Sequence, residues 1–447
     1  MVMQTYEKLK ARRFEMDVSS HWDVLHCIAP SYTIIKSTNM IQEEPTPQTD
    51  PDAIDDIVIQ LPSWRKLLIL FSVCWMGLPV IFWCTGSLTA TPELAADFSS
   101  TPENINWINA GVLVAMALSS LIWLPTATLI GRKKAIIAAQ YYAPVRLGAR
   151  QTILADVFEP TVRGTAVGVF LGSCVSANSI GSAIVTFTSW RVIYGLEAGM
   201  SFLSMVLMFF FAPEDIQIEN GRIETGVQGW YQTRHPIKLN PKDIFRQFAY
   251  PRVLLANLTC GLLAFNQFGL LSSIRHIINP YFNLTSPLSS WLFYLAPGAG
   301  FLIGSIIGGK FSDITVRRYI RKRNNIRLAE DRLNSSLLWI LVVLPLGALI
   351  NGWSLEKDLR RMVLPVISSF VYGFGLMTSF SGLNTYSGEA SPAFRAAVIS
   401  SKCLTQYVCS AGSVGGVVLM IDSIGTGWAF TVSVFVLAIA RLPILRK

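Results

Sequence analysis

An all-α polytopic membrane protein of two helical bundles, the first of them incomplete, is the fold class that three observations in this 447-residue sequence predict. Apolar residues make up 51% of the chain against 15% charged, and the apolar ones gather in runs long enough to span a bilayer. All but five of the 37 Lys and Arg residues fall on segments that share the cytosolic side when the N-terminus is inside; the exceptions are Arg191, Arg275, Lys357, Arg360 and Arg361. The stretch GGKFSDITVRR, Gly308 to Arg318, reads as a loop and has a degraded copy, LPTATLIGRKK, from Leu124 to Lys134. Each copy follows the second long apolar run of its half, a duplication that implies two halves rocking around a site near mid-membrane.

In chain order, residues 1–60 mix both charges, include the acidic stretch Glu43 to Asp56 and lack the short basic-plus-apolar design of a cleaved signal. They read as a disordered cytosolic tail. A first bundle over 61–212 holds expected spans at 67–88, 105–130, 165–188 and 190–212, and 213–250 reads as a cytosolic central loop. A second bundle over 251–447 holds spans at 253–274, 290–309, 336–353, 362–385, 396–421 and 427–445, which makes ten clear crossings.

The first bundle is short. Between Lys134 and Asp156 lie 21 residues carrying Pro144, Arg146 and Arg150, where two crossings need about 40 residues. A single crossing would move the basic loops at 222–252 and 310–332 to the outside, so none is expected there. Asp313 and Arg395 are 82 positions apart whereas the matching Thr128 and Arg163 are 35 apart. After allowing for the longer basic loop behind Asp313, about 25–30 residues, one helix and a turn, are missing. Residues 135–155 therefore read as the start of one lost span fused to the end of another, at the membrane interface or re-entrant.

The net charge of +9 follows from orientation, which removes nucleic acid as a partner. Cys74, Cys84, Cys174, Cys260, Cys403 and Cys409 lie in apolar spans and only Cys27 lies in the tail, so neither a disulfide framework nor a metal site is expected. The histidines, His21, His26, His235 and His276, are scattered in tails and loops, and no nucleophile elbow or convergent catalytic set occurs. No enzyme activity and no cofactor are expected. Gly304 to Lys310 spells G-x-x-x-x-G-K, but Phe311 stands where a phosphate loop needs Ser or Thr and no strand precedes it. These glycines fit close helix packing instead. Asn283 in Asn283-Leu284-Thr285 is the one glycosylation sequon expected in an outward loop.

Seven stretches carry a family resemblance: LPSWRK at 61–66, TATPELAADF at 89–98, NAGVLVAMALSSLIW at 109–123, QTILADVFEPTVRGTAVG at 151–168, TSWRVIY at 188–194, YLAPGAGFLIGSIIGGKFSD at 294–313 and GEASPAFRAAV at 388–398. Together they resemble the major facilitator superfamily, in particular its fungal drug:proton antiporter branch. The resemblance implies twelve spans in two six-helix bundles, a monomer in the plasma or vacuolar membrane, and proton-coupled export of small organic molecules such as drugs, toxins or secondary metabolites. A polyamine or organic-acid carrier is the alternative transport reading, and a transport-incompetent truncated member is the alternative outside transport. This chain departs from the family pattern where Leu124, Pro125, Thr126, Ala127 and Thr128 replace Gly-Pro-Leu-Ser-Asp, so the first acidic residue is lost. It departs again where GSCVSANSIGSAIV replaces the Gly-Pro-x-x-Gly-Gly signature.

The resemblance assigns gating to Asp313, Arg317 and Arg318, with Gly131, Arg132 and Lys133 in the degraded copy. An Asp at a helix end can hold Arg residues in one state and release them in the other. Asp156, Glu159 and Arg163 in the first half, and Glu389 and Arg395 in the second, are similar to the family's acid-to-Arg turns. Proton coupling needs an ionisable group inside a span, for which Glu197 and Arg146 are candidates, while Lys402 is expected to snorkel to the cytosolic face. Asn266, Gln267, Asn384, Tyr386 and Gln406 are candidates for a cavity lined by uncharged polar groups.

Overall fold

The computed structural model describes residues 62–130, 147–211, 241–278, 282, 287–324, 326, 328–357, 363–391 and 394–445. Among them every regular element is helical. In the first half these are α1 (Ser63–Thr89), α2 (Thr91–Asp97), α3 (Pro102–Ile130), α4 (Leu147–Val157), α5 (Pro160–Phe187) and α6 (Trp190–Phe211). The second half has α7 (Pro241–Arg246), α8 (Pro251–Ser273), α9 (Pro287–Lys322), α10 (Asp331–Ser335), α11 (Leu344–Glu356), α12 (Val363–Glu389), α13 (Arg395–Ile424) and α14 (Thr426–Leu445). The tail 1–60, the degraded loop with Gly131, Arg132 and Lys133, Arg146, most of the central loop and Asn283 lie outside the described residues.

Nine of the described helices are long and apolar enough to cross a membrane, and a tenth apolar stretch, Thr426–Ala440, is shorter. Each expected span falls on one of these ten. Helix starts follow local chemistry: proline opens α5 and α8, where the missing N–H costs nothing. Between α13 and α14 Gly425 adopts φ +85°, and the Glu356 carboxylate accepts the N–H groups of Thr426 at 2.7 Å and Gly427 at 3.2 Å. That is an acidic cap on a helix N-terminus.

One expectation needs correction. The stretch from Gly308 to Arg318 is not a loop, because α9 runs unbroken for 36 residues to Lys322. No proline follows Pro297 in it, and its glycines are held by neighbouring helices. Helix α4 is inside the protein, with Gln151, Thr152, Ile153, Leu154 and Ala155 buried, and it packs on α3, α5, α12 and α13. Its 11 residues give a length of about 16 Å, half a crossing.

Within the first half α1 packs on α5 and α6; within the second, α9 packs on α12, α11 on α12 and α14, and α8 on α13 and α14. Two seams join the halves, α5 with α9 and α3 with α13. Small residues set the first seam and the α9–α12 contact. A Cβ on Gly304 would lie 2.5 Å from the Phe374 carbonyl oxygen, and one on Gly308 would lie 2.6 Å from the Thr378 Cα. On α5 a Cβ at Gly172 would come within 2.6 Å of Ser305 Oγ on α9. The G-x-x-x-x-G-K spelling is thus part of a helix-packing stripe. The second seam is apolar, with Leu113, Met116 and Ala117 of α3 against Ile399, Cys403 and Tyr407 of α13.

Candidate functional site

At the α5 start and the α9 and α12 ends, on the side assigned to the cytosol, four fully buried charges meet. Asp313 of α9 accepts the N–H groups of Gly164 at 2.9 Å and Thr165 at 2.7 Å, and the Thr165 hydroxyl at 2.6 Å. A carboxylate thus sits on two amides and a hydroxyl of the second turn of α5, charge-assisted hydrogen bonds that satisfy it. Arg332 of α10 reaches Asp313 at 2.7 Å and Glu389 of α12 at 3.2 Å, and donates to Ser312 Oγ at 3.1 Å and to the Pro160 carbonyl at 2.5 Å. Arg163 of α5 reaches Glu389 at 3.2 Å and the Phe158 carbonyl at 3.2 Å. Two cations and two anions therefore tie the first half to the second, and Arg163, Asp313 and Arg332 each add neutral partners to their charged ones.

The expected site residues are distributed unevenly around this cluster. Asp313, Arg163 and Glu389 are its members, and Arg317 donates from its exposed position to the Thr161 carbonyl at 2.9 Å. Arg318 and Glu159 are exposed, and Arg395 is half-buried at the start of α13. Asp156 falls near the end of α4. Glu197 is half-buried on α6, a helix that packs on α1 and leaves most of its surface open. Arg332 was not expected from the sequence; in a loop rich in arginines nothing marks the one that folds inward.

Above the cluster, a cavity of about 60 Å³ lies between the halves, lined by Gln151, Gln267, Asn384, Lys402 and Gln406 with Phe170, Phe380 and Tyr407. At this volume it holds a few water molecules. Gln267, Asn384 and Gln406 are cavity candidates from the sequence that do line it. Asn266 is elsewhere, accepting the Tyr372 hydroxyl at 2.6 Å and the Ser433 hydroxyl at 3.0 Å inside the second half. Tyr386 packs in that half's apolar core. The expectation that Lys402 snorkels is wrong: it is 1% exposed, donating to Asn384 Oδ1 at 2.6 Å and to Gln151 Oε1. Its side chain points between helices, where α4 and α12 supply amide oxygens. An ionisable residue seven positions inside a span was the available signal; Gln151, in the shortened segment, gave none.

A profile of the Major Facilitator Superfamily matches residues 144–416. The chain belongs to that superfamily. Among curated members it is 28% identical over 213 residues to Quinidine resistance protein 3 of Saccharomyces cerevisiae, covering 47% of this chain and 30% of that protein. It is 26% identical over 178 residues to MFS antiporter QDR3 of Candida albicans, covering 40% of this chain and 25% of that protein. The chain thus spans under a third of the length of these two superfamily relatives. Dityrosine transporter 1 of Saccharomyces cerevisiae matches at 21% identity across 89% of this chain and 81% of its own length. Two solved superfamily structures share the fold. The human organic anion transporter MFSD10 has a TM-score of 0.64 at 13% identity, covering 86% of this chain and 100% of that one. The proton:xylose symporter XylE has a TM-score of 0.62 at 12% identity, covering 86% and 96%. This major facilitator chain is accordingly an all-α, multi-pass membrane protein.

Proposed function

We propose that the chain is a secondary transporter that exports small organic molecules in exchange for protons across the plasma membrane, as a monomer. The observation that carries the reading is the buried cluster of Asp313, Arg332, Glu389 and Arg163 beneath a polar cavity at the junction of the halves. A cluster that ties the halves on one side of a central cavity has the form of a gate, because separating it exposes the cavity to that side. In this reading Asp313 with Arg332 is the latch, Arg317 braces the start of α5, and Gln267, Asn384 and Gln406 contact the substrate. The drug and antiporter names of the fungal relatives support export.

The half-length α4 and the Thr at position 128 favour a second reading, a family member that keeps the fold and has lost transport. Reconstitution of the full chain in liposomes with an imposed pH gradient separates the two. Uptake of quinidine, spermidine or 1-naphthoate that collapses with a protonophore and falls with Asp313→Asn is the expected result. Well-folded protein that moves none of the three under a gradient would leave the transport-incompetent reading standing.

A further inference from the structure

Six charged side chains among the described residues are fully buried: Arg163, Asp313, Asp331, Arg332, Glu389 and Lys402. Five have opposite charges beside them. Arg163 and Arg332 are balanced by Asp313 and Glu389, and Asp331 is held by Arg323 at 2.8 Å. Lys402 is the exception. Its partners are the neutral amide oxygens of Gln151 and Asn384, and these amides bond each other at 2.7 Å, Gln151 Nε2 to Asn384 Oδ1. No described carboxylate lines the cavity it faces.

A buried ammonium without a counter-ion is expensive, and hydrogen bonds to neutral amides relieve the cost only in part. An ammonium has three N–H donors, and two are engaged here. Among the described residues the site lacks one negative charge, which a group small enough to reach the wall between α4, α12 and α13 could deliver. Around that wall stand Phe170, Phe380 and Tyr407, and Met377 beside them, which suit a flat apolar body better than a sugar-like one. An organic cation would meet like charge here and lose the same amide acceptors to Lys402.

We propose, building on the transport reading above, that Lys402 is the anchor for an anionic substrate. The transported class is then small organic acids with an aromatic or apolar body, their carboxylate on Nζ of Lys402. Gln151 and Asn384 hold the ammonium in place and Gln267 and Gln406 bond the remaining polar groups. The polyamine alternative does not fit a site whose fixed charge is positive.

The test is equilibrium binding to the purified full chain in nanodiscs, using radiolabelled 1-naphthoate and a panel of other aromatic and aliphatic carboxylates. Each acid is competed against its neutral amide, with 1-naphthylmethylamine as the cation. Acids are expected to bind the wild type at least about tenfold more tightly than their amides, the size of one charge-assisted hydrogen bond. Lys402→Arg keeps the preference and Lys402→Gln abolishes it. Should Lys402→Gln not fold, Gln151→Glu places a carboxylate beside the ammonium, and is expected to abolish acid binding while raising the melting temperature. The proposal is overturned if no acid in the panel outcompetes its amide, if the cation binds best, or if Lys402→Gln or Gln151→Glu retains the preference. Acid binding without flux would uphold the site and remove the transport reading; flux of cations without acid binding would do the reverse.

Discussion

Glu389 accepts from guanidinium groups of both halves, so its charge is worth more than that of an exposed carboxylate. Replacing it with Gln removes the carboxylate that Arg163 reaches at 3.2 Å and one of the two that Arg332 reaches, both guanidinium groups being buried. Breaking a buried pair by removing one partner costs about 3–5 kcal/mol, so Glu389→Gln should lower the detergent melting temperature clearly. Because the cluster is shielded from solvent, raising the salt concentration should not reproduce the loss. Arg317→Ala, at an exposed position holding one backbone carbonyl, should shift stability by under about 1 kcal/mol. A double variant, Glu389→Gln with Arg163→Met, should lose less than the sum of the single changes, since it removes one of the stranded cations. Asp313, Arg163 and Glu389 were legible in the sequence because each belongs to a motif that the family resemblance marks. Arg332 was not, since its partners come from helices 19 and more positions away in both directions.

At the scale of the element, hydropathy located the spans, because a bilayer leaves a helix little alternative wherever about twenty apolar residues run together. It could not say where α9 ends. Charged residues from Lys310 onward look like a loop by composition, and they stay helical because one face is clamped by α5 and α12. That clamp has a consequence for mutation. Gly308→Val would drive side-chain atoms into the Thr378 backbone, which cannot yield as a flexible side chain can. The expected cost is about 1–3 kcal/mol or more, seen as loss of monodisperse protein on size-exclusion chromatography. Gly412→Ala on α13 meets nothing within 4 Å; it should be neutral, or stabilising by roughly 0.4–1 kcal/mol through reduced freedom of the unfolded chain. If both glycines tolerate substitution equally, the close α9–α12 approach is not what holds this region of the protein.

For the whole molecule, the internal repeat points to two related halves, whereas how they meet depends on geometry no motif encodes. Both seams are closed along much of their length. Ser400 of α13 donates to the Ser120 carbonyl of α3 at 3.0 Å, and at the far end of the other seam Trp291 donates to the Ser179 carbonyl at 3.0 Å. A carrier of this architecture must open its seams at a single end at a time to expose the cavity. Cysteines placed at Ser120 and Ser400, in a background with the native cysteines replaced, should therefore be joined readily by a short bifunctional thiol reagent. Joining them should stop proton-driven flux in liposomes while leaving the protein folded, and reduction of a cleavable linker should restore it. Substrate binding measured in the joined state should persist, because the amide partners of Lys402, Gln151 and Asn384, stand on α4 and α12, which the linker does not touch. Flux that continues unchanged through a confirmed cross-link would mean that the α3–α13 seam does not open, and any transport would then have to run by motion at α5 and α9 alone.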